Sequence, residues 1–275
     1  MKLFRIFLLV ICTVYLQAQS NSAVEASADI VFYSFDSVND TLINAGILVS
    51  LEKDWHIYWR NSGDSGIPTS FEIELPENFS LTELKWPVPK IFEFEGYASY
   101  GYENKVLFPF QIILPTERIL NSFPIKVKLK SLICKDVCKP FNTEVSKVFD
   151  LNSNYQSSTE IKELFENTLN HIPEKNFFID IDAKEIADKV LMNITSQRLN
   201  LKKIKTLHFI PYENGIFRNS LTQNFKWNNE SIQLEIEYDQ FKTKTPELIG
   251  GILLLEISSE EGVKKVGYEI SVKLN

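Results

Sequence analysis

Ile125-Lys126-Val127-Lys128-Leu129-Lys130 alternates strictly between apolar and basic side chains. Successive side chains of a strand point to opposite faces, so this stretch spells a half-buried antiparallel strand with Ile125, Val127 and Leu129 inward. The same period of two recurs at Ile232-Gln233-Leu234-Glu235-Ile236-Glu237-Tyr238 and at Val266-Gly267-Tyr268-Glu269-Ile270-Ser271-Val272-Lys273-Leu274. Rougher versions lie at residues 43–51, 71–75, 106–114, 177–181, 190–194, 207–210 and 252–257. Many short strands separated by turn residues predict an all-β chain.

One segment breaks the alternation. Ser157-Ser158-Thr159-Glu160 has the form of a capping box, with Ser157 as the N-cap and Glu160 three residues on. Ile161, Leu164, Phe165, Thr168 and Leu169 follow at helical spacing, and Pro173 stands beyond the expected end. The polar run Asn152-Ser153-Asn154-Tyr155-Gln156 before this helix reads as a domain boundary. The expected architecture is two immunoglobulin-like β-sandwich domains with a short connecting helix. The first covers residues 19–151, and the second, with the helix, covers residues 152–275. The immunoglobulin Cys–Trp–Cys hallmark is absent, so strand order stays open.

The chain has 275 residues with 29 Lys+Arg against 36 Asp+Glu. A net charge of -7 lacks the basic excess of a general nucleic-acid binder. With 20 Phe, 10 Tyr and 4 Trp, disorder over most of the length is excluded. Residues 1–18 read as a secretory signal peptide. Lys2 and Arg5 are followed by an apolar run too short to span a membrane, and Ala18 offers a small residue for cleavage. No later stretch is apolar enough for a transmembrane helix. The expected mature protein is soluble and exported. Cys12 leaves with the signal, so Cys134 and Cys138 remain in an oxidising compartment.

Leu132-Ile133-Cys134-Lys135-Asp136-Val137-Cys138-Lys139-Pro140 follows directly on the opening strand. Continued alternation puts Cys134 on the lysine face, within reach of solvent. Three intervening residues permit a turn that brings the two Cα atoms within about 4.4–6.8 Å. A bridge over so short a loop stabilises little, because loop-closure entropy grows with loop length. Exchange chemistry needs one thiolate and a second sulfur to resolve the mixed disulfide. Lys135 and Lys139 favour a thiolate and Asp136 opposes it. Three readings stay open: a redox-active dithiol, a passive disulfide, and a Cu(I) site, since soft thiolates suit Cu(I). Copper would want a third ligand, and His56, His171 and His208 are all distant in sequence.

Two further stretches stand out. Asp54-Trp55-His56-Ile57-Tyr58-Trp59-Arg60-Asn61-Ser62-Gly63-Asp64-Ser65-Gly66 reads as an aromatic core strand running into a turn that Asp64 fixes. His56 there lacks metal-ligand spacing. Phe92-Glu93-Phe94-Glu95-Gly96-Tyr97-Ala98-Ser99-Tyr100-Gly101-Tyr102-Glu103 suits either a mobile loop covering a site or a long hairpin. No G-x-S-x-G, H-E-x-x-H or Walker loop is present.

Together, Trp55 to Gly66, the Trp86-Pro87 pair, Gly101-Tyr102-Glu103 and Leu132 to Pro140 resemble the N-terminal periplasmic region of the DsbD family. The similarity is to the branch that includes the suppressor of copper sensitivity protein B. Phe209-Ile210-Pro211-Tyr212-Glu213-Asn214-Gly215 and Leu248-Ile249-Gly250-Gly251-Ile252-Leu253 are similar to that branch's second β domain. The resemblance implies a periplasmic thiol–disulfide relay that needs no metal or organic cofactor, with links to cytochrome c biogenesis and copper tolerance. It implies that Cys138 is the attacking thiol and Cys134 the resolving one. It also implies a cap loop over the sulfurs, corresponding to Glu93, Phe94 and Glu95. The implied partners are exported thioredoxin-like proteins. Two departures stand out. Three residues lie between the cysteines here, where the best-known members have five. The family's membrane electron conduit and thioredoxin-like domain have no counterpart in this sequence, so two expectations stay open: a separate membrane electron donor supplies the electrons, or the fold serves as a non-enzymatic β-sandwich binding protein with a structural disulfide.

Overall fold

A computed structural model describes residues 25–117, 120–175, 178–219, 223–228, 230–242, 244–260 and 262–275. The signal segment, Cys12 and Phe177 lie outside the described residues. The first block runs β1 (Ala26–Phe32), β2 (Ser34–Phe35), β3 (Leu42–Leu51), β4 (His56–Gly63), β5 (Ser70–Glu74), β6 (Ser80–Leu81), β7 (Lys90–Phe94), β8 (Tyr97–Glu103), β9 (Lys105–Ile113), β10 (Ser122–Cys134) and β11 (Cys138–Asp150). One layer is ordered β1-β3-β9-β6, and the other β11-β10-β4-β8-β7 with β5 also on β10. After β12 (Tyr155–Gln156) and α1 (Thr159–Leu169) come β13 (Glu174–Lys175), β14 (Ile179–Ile186), β15 (Lys189–Ser196), β16 (Ile204–Pro211), β17 (Asn224–Asn228), β18 (Ser231–Glu237), β19 (Leu248–Ser259) and β20 (Gly262–Lys273). These form sheets β13-β20-β19-β16 and β14-β15-β18-β17. The fold is all-β: two immunoglobulin-like sandwiches with one short helix between them.

The opening alternation does what its period demands. Ile125, Val127 and Leu129 are fully buried, while Lys126, Lys128 and Lys130 face out. Each such burial stabilises by about 1.5–3 kcal/mol. Their core also holds Trp59, Phe108, Phe110 and Phe123. A second core gathers Phe209, Leu234 and Leu253. Ile210, Ile252 and Leu254 leave the second sandwich's own core and join the first, so the two sandwiches share an apolar contact.

Two local expectations shift. The N-cap of α1 is Ser158, not Ser157: its hydroxyl accepts from the backbone N–H of Ile161 at 3.3 Å. Glu160 thus misses the capping-box position and pairs with Lys105 at 2.7 Å instead. The polar run before the helix is not a loose connection. Tyr155–Gln156 pairs with Ser34–Phe35, and Asn154 accepts from the Ser37 backbone. The helix itself, grouped by sequence with the second block, buries Phe165 against Val31 and Leu107 of the first.

Candidate redox site

β10 and β11 run antiparallel without a slip from Ser122↔Asp150 to Cys134↔Cys138. The two cysteines therefore face each other at the end of the ribbon, and Lys135, Asp136 and Val137 form its tip. They are joined as a disulfide, with a Cα–Cα distance of 4.1 Å. Directly opposed residues of an antiparallel pair sit about 4.5–5.5 Å apart, so the register alone brings the two cysteines within bridging reach.

The same row continues across the sheet. Cys134 lies opposite His56, and His56 lies opposite Glu103. The sequence places no histidine near the cysteines, but the register brings His56 beside them. Its ring stacks on Phe92 at 4.8 Å and meets Tyr58 edge-on at 5.3 Å. Burial lowers the His56 pKa, while Glu103 pulls it the other way. Among the described residues, no group of three or more His, Cys, Asp and Glu side chains is arranged to hold a metal.

The two sulfurs differ sharply in access. The expectation of a reachable Cys134 is corrected: it is only 3% exposed. Cys138 is exposed. Alternation does put Cys134 on the outer face, but that face is roofed there. The Tyr58 hydroxyl lies 3.1 Å from Cys134 Sγ and 3.8 Å from Cys138 Sγ. Gly66 in turn lies against the Tyr58 ring, so closely that a Cβ there would come within 2.2 Å of it. Burial raises the Tyr58 pKa, with a Ser65 hydrogen bond opposing, so the phenol stays protonated and able to donate. Where β4 leaves β10, the hydroxyls of Thr69 and Ser131 bond at 2.6 Å and hold the loop down.

The nearby lysines do not act as free cations. Lys135 pairs with Asp54 at 3.1 Å. Lys139 bonds Glu25, which lowers that carboxyl's pKa, and lies over the Trp55 ring at 5.2 Å. Phe92 to Glu103 forms a hairpin rather than an open loop: Phe94 pairs with Tyr97 around Glu95 and Gly96, both at positive φ. Glu93 and Glu95 are exposed on this hairpin. Its contact with the disulfide neighbourhood runs through Phe92 and His56 to Tyr58. Tyr58, Gly66 and Phe92 are thus the site residues that sequence reasoning did not single out. A signal for Tyr58 was available, because it shares a strand face with His56.

Fold and site define a class: immunoglobulin-like β-sandwiches carrying a disulfide with one sulfur covered and the other open. Residues 24–150 match the family described as thiol:disulfide interchange protein DsbD, N-terminal. The chain carries a DsbD-family N-terminal domain over that stretch. Among solved structures it is similar to the N-terminal periplasmic domain of ScsB from Proteus mirabilis. That match has 12% identity and a TM-score of 0.63, over 92% of this chain and 95% of that one. A conserved domain protein from Bacillus anthracis matches at 8% identity and TM-score 0.26, over 91% of this chain and 88% of that one. The sporulation control protein Spo0M from Bacillus subtilis matches at 10% identity and TM-score 0.21, over 90% of each chain. No curated protein sequence matches the chain. Among the described residues, no helix is long and apolar enough to cross a membrane.

Proposed function

We propose that this chain is a periplasmic thiol–disulfide exchange carrier working through Cys134 and Cys138. The observation that carries the reading is the asymmetry of the pair: Cys134 is buried under Tyr58 and Cys138 is open. Exchange needs one sulfur that a partner can reach and one held back to resolve the mixed species.

In the reduced protein, the Cys138 thiolate attacks a sulfur of the partner's disulfide. A mixed disulfide forms and the partner's other sulfur leaves as a thiolate. Cys134 then attacks Cys138 Sγ, closes the internal disulfide and releases the partner's second sulfur. Two electrons pass to the partner, whose sulfurs take up two protons and end as thiols. The chain ends oxidised and is returned to the dithiol by a membrane-bound dithiol donor. A Tyr58 hydroxyl 3.1 Å from Cys134 Sγ can donate to the sulfur while it is a thiolate. The partners in this reading are exported thioredoxin-like proteins. The hairpin with Glu93, Phe94 and Glu95 serves as the cap. Residues 19–151 form the redox module and residues 152–275 the second one.

Trapping tests it. Cys134→Ser should accumulate a mixed disulfide with an oxidised thioredoxin-like domain, visible as a reducible adduct by mass. Cys138→Ser should form none. Adducts from Cys138→Ser alone would reverse the two roles. A wild-type potential below roughly -300 mV would mark a structural bridge instead.

A further inference from the structure

The turn that roofs Cys134 is bonded to the second sandwich just before it reaches Tyr58. Asn61 Nδ2 donates to the carbonyls of Pro211 at 2.8 Å and Glu213 at 3.2 Å. Asn214 Nδ2 donates to Ser62 Oγ at 3.3 Å. Asp64 is the pivot. Its Oδ1 accepts from the backbone N–H of Asn219 at 3.1 Å and from Asn219 Nδ2 at 3.0 Å. Its Oδ2 accepts from the Ala98 backbone N–H at 2.9 Å. Asn219 is itself buried, and its Oδ1 accepts from the Tyr100 hydroxyl at 3.0 Å. Ser65 and Gly66 follow directly. Ser65 bonds Ser99 at 2.9 Å, and Gly66 lies on the Tyr58 ring.

We infer that the second sandwich clamps this turn, making Asp64 and Asn219 positioning residues that hold the Tyr58 hydroxyl against Cys134. The inference rests on the disulfide being the redox centre, and it gives the second sandwich a part in setting the properties of that bond. The physical reason is that Asp64 is bonded on both sides. A half-buried carboxylate and a buried amide that bond each other fix the backbone between them, since leaving either unpaired is costly. The turn is then stiff where it meets Tyr58. A hydroxyl held at a sulfur stabilises a thiolate more than a disulfide, so the clamp shifts the equilibrium toward the reduced pair.

The test is the exchange equilibrium of the purified whole chain against a glutathione buffer, read by alkylation and mass. Tyr58→Phe should disfavour the reduced form by about fivefold, the net worth of one hydrogen bond. Asn219→Ala should move the equilibrium in the same direction by about two- to fivefold. Combining both should add little to Tyr58→Phe alone, because both act through one contact. Leu234→Ala, buried in the second core away from the clamp, should lower the melting temperature and leave the equilibrium unchanged. If Asn219→Ala does not fold, Asn214→Ala tests the same clamp from an exposed side chain, with the same direction expected. An unmoved equilibrium in the clamp variants, while Tyr58→Phe shifts it, overturns the inference. So does an equal shift in Leu234→Ala. A deeply reducing wild-type pair would end the carrier reading yet leave the clamp test intact, because the clamp is read from differences between variants.

Discussion

Gly66 is the residue whose replacement speaks most directly to the covered sulfur. Its φ is +88, a region where an L side chain costs about 1–2 kcal/mol. An alanine Cβ there would lie 2.2, 2.4 and 2.6 Å from atoms of the Tyr58 ring. The ring has nowhere to retreat: it is 3% exposed, and its hydroxyl already abuts Cys134 Sγ. Forcing a methyl into such packing adds about 1–3 kcal/mol. Gly96 supplies the matched control, with φ +83 and nothing within 4 Å of an added Cβ. Both variants share the backbone cost and the same change in unfolded-chain entropy. Gly66→Ala should therefore be less stable than Gly96→Ala by about 1–3 kcal/mol, the overpacking cost alone. Urea unfolding with a common slope measures the difference as a shift in midpoint. In the reduced protein, Cys134 of Gly66→Ala should also alkylate faster than that of Gly96→Ala. Equal midpoints and equal alkylation rates would refute the packing of this turn on Tyr58.

Two further outcomes follow from local chemistry. Burial, aided by Lys265, pushes His208 down to about 4. The unfolded chain protonates its histidine first, near pH 6.5, so this contribution is full above about pH 6.5 and declines toward pH 4, by roughly 3 kcal/mol. His208→Gln should flatten that part of the stability profile; parallel profiles for variant and wild type would show that His208 is not responsible. At the helix, Ser158→Ala should cost about 1 kcal/mol as a lost cap. Ser157→Ala should stay within about 0.5 kcal/mol, and the reverse order in thermal melts would return the cap to Ser157.

The strands that sequence made legible are those with one wet face and one dry face. β10 and β18 announce themselves because inward and outward positions alternate along them, and β20 does the same from Tyr268 onward. β11 does not: of its residues only Phe149 is buried, so no apolar period marks it, and it is found only as the partner of β10. The cysteine pair was legible from composition, and its pairing follows from the ribbon's register. The access of Cys134 was not, because alternation reports which face a residue takes and not what lies above that face. Tyr58 and Gly66 roof it from a different strand and its loop. The contact between sandwiches was equally hidden. Asn61 and Asp64 look like ordinary turn formers, and their partners Pro211 and Asn219 lie some 150 residues away. Nothing local distinguishes a turn bonded to itself from one bonded to a neighbouring domain.

The anchoring of the polar run and the helix on the first sandwich fixes the length of the tether between the two halves. Held chain runs to Leu169, and the first strand of the second sandwich begins at Glu174. The carbonyl of His171 is bonded in between, to the backbone N–H of Val88 at 2.9 Å. So short a connector spans no more than roughly 18 Å even when fully extended. Separated halves would face each other at an effective concentration of about millimolar or higher. Opening of the interface is therefore a brief unimolecular excursion, with no dilution to drive the halves apart and with prompt re-closure.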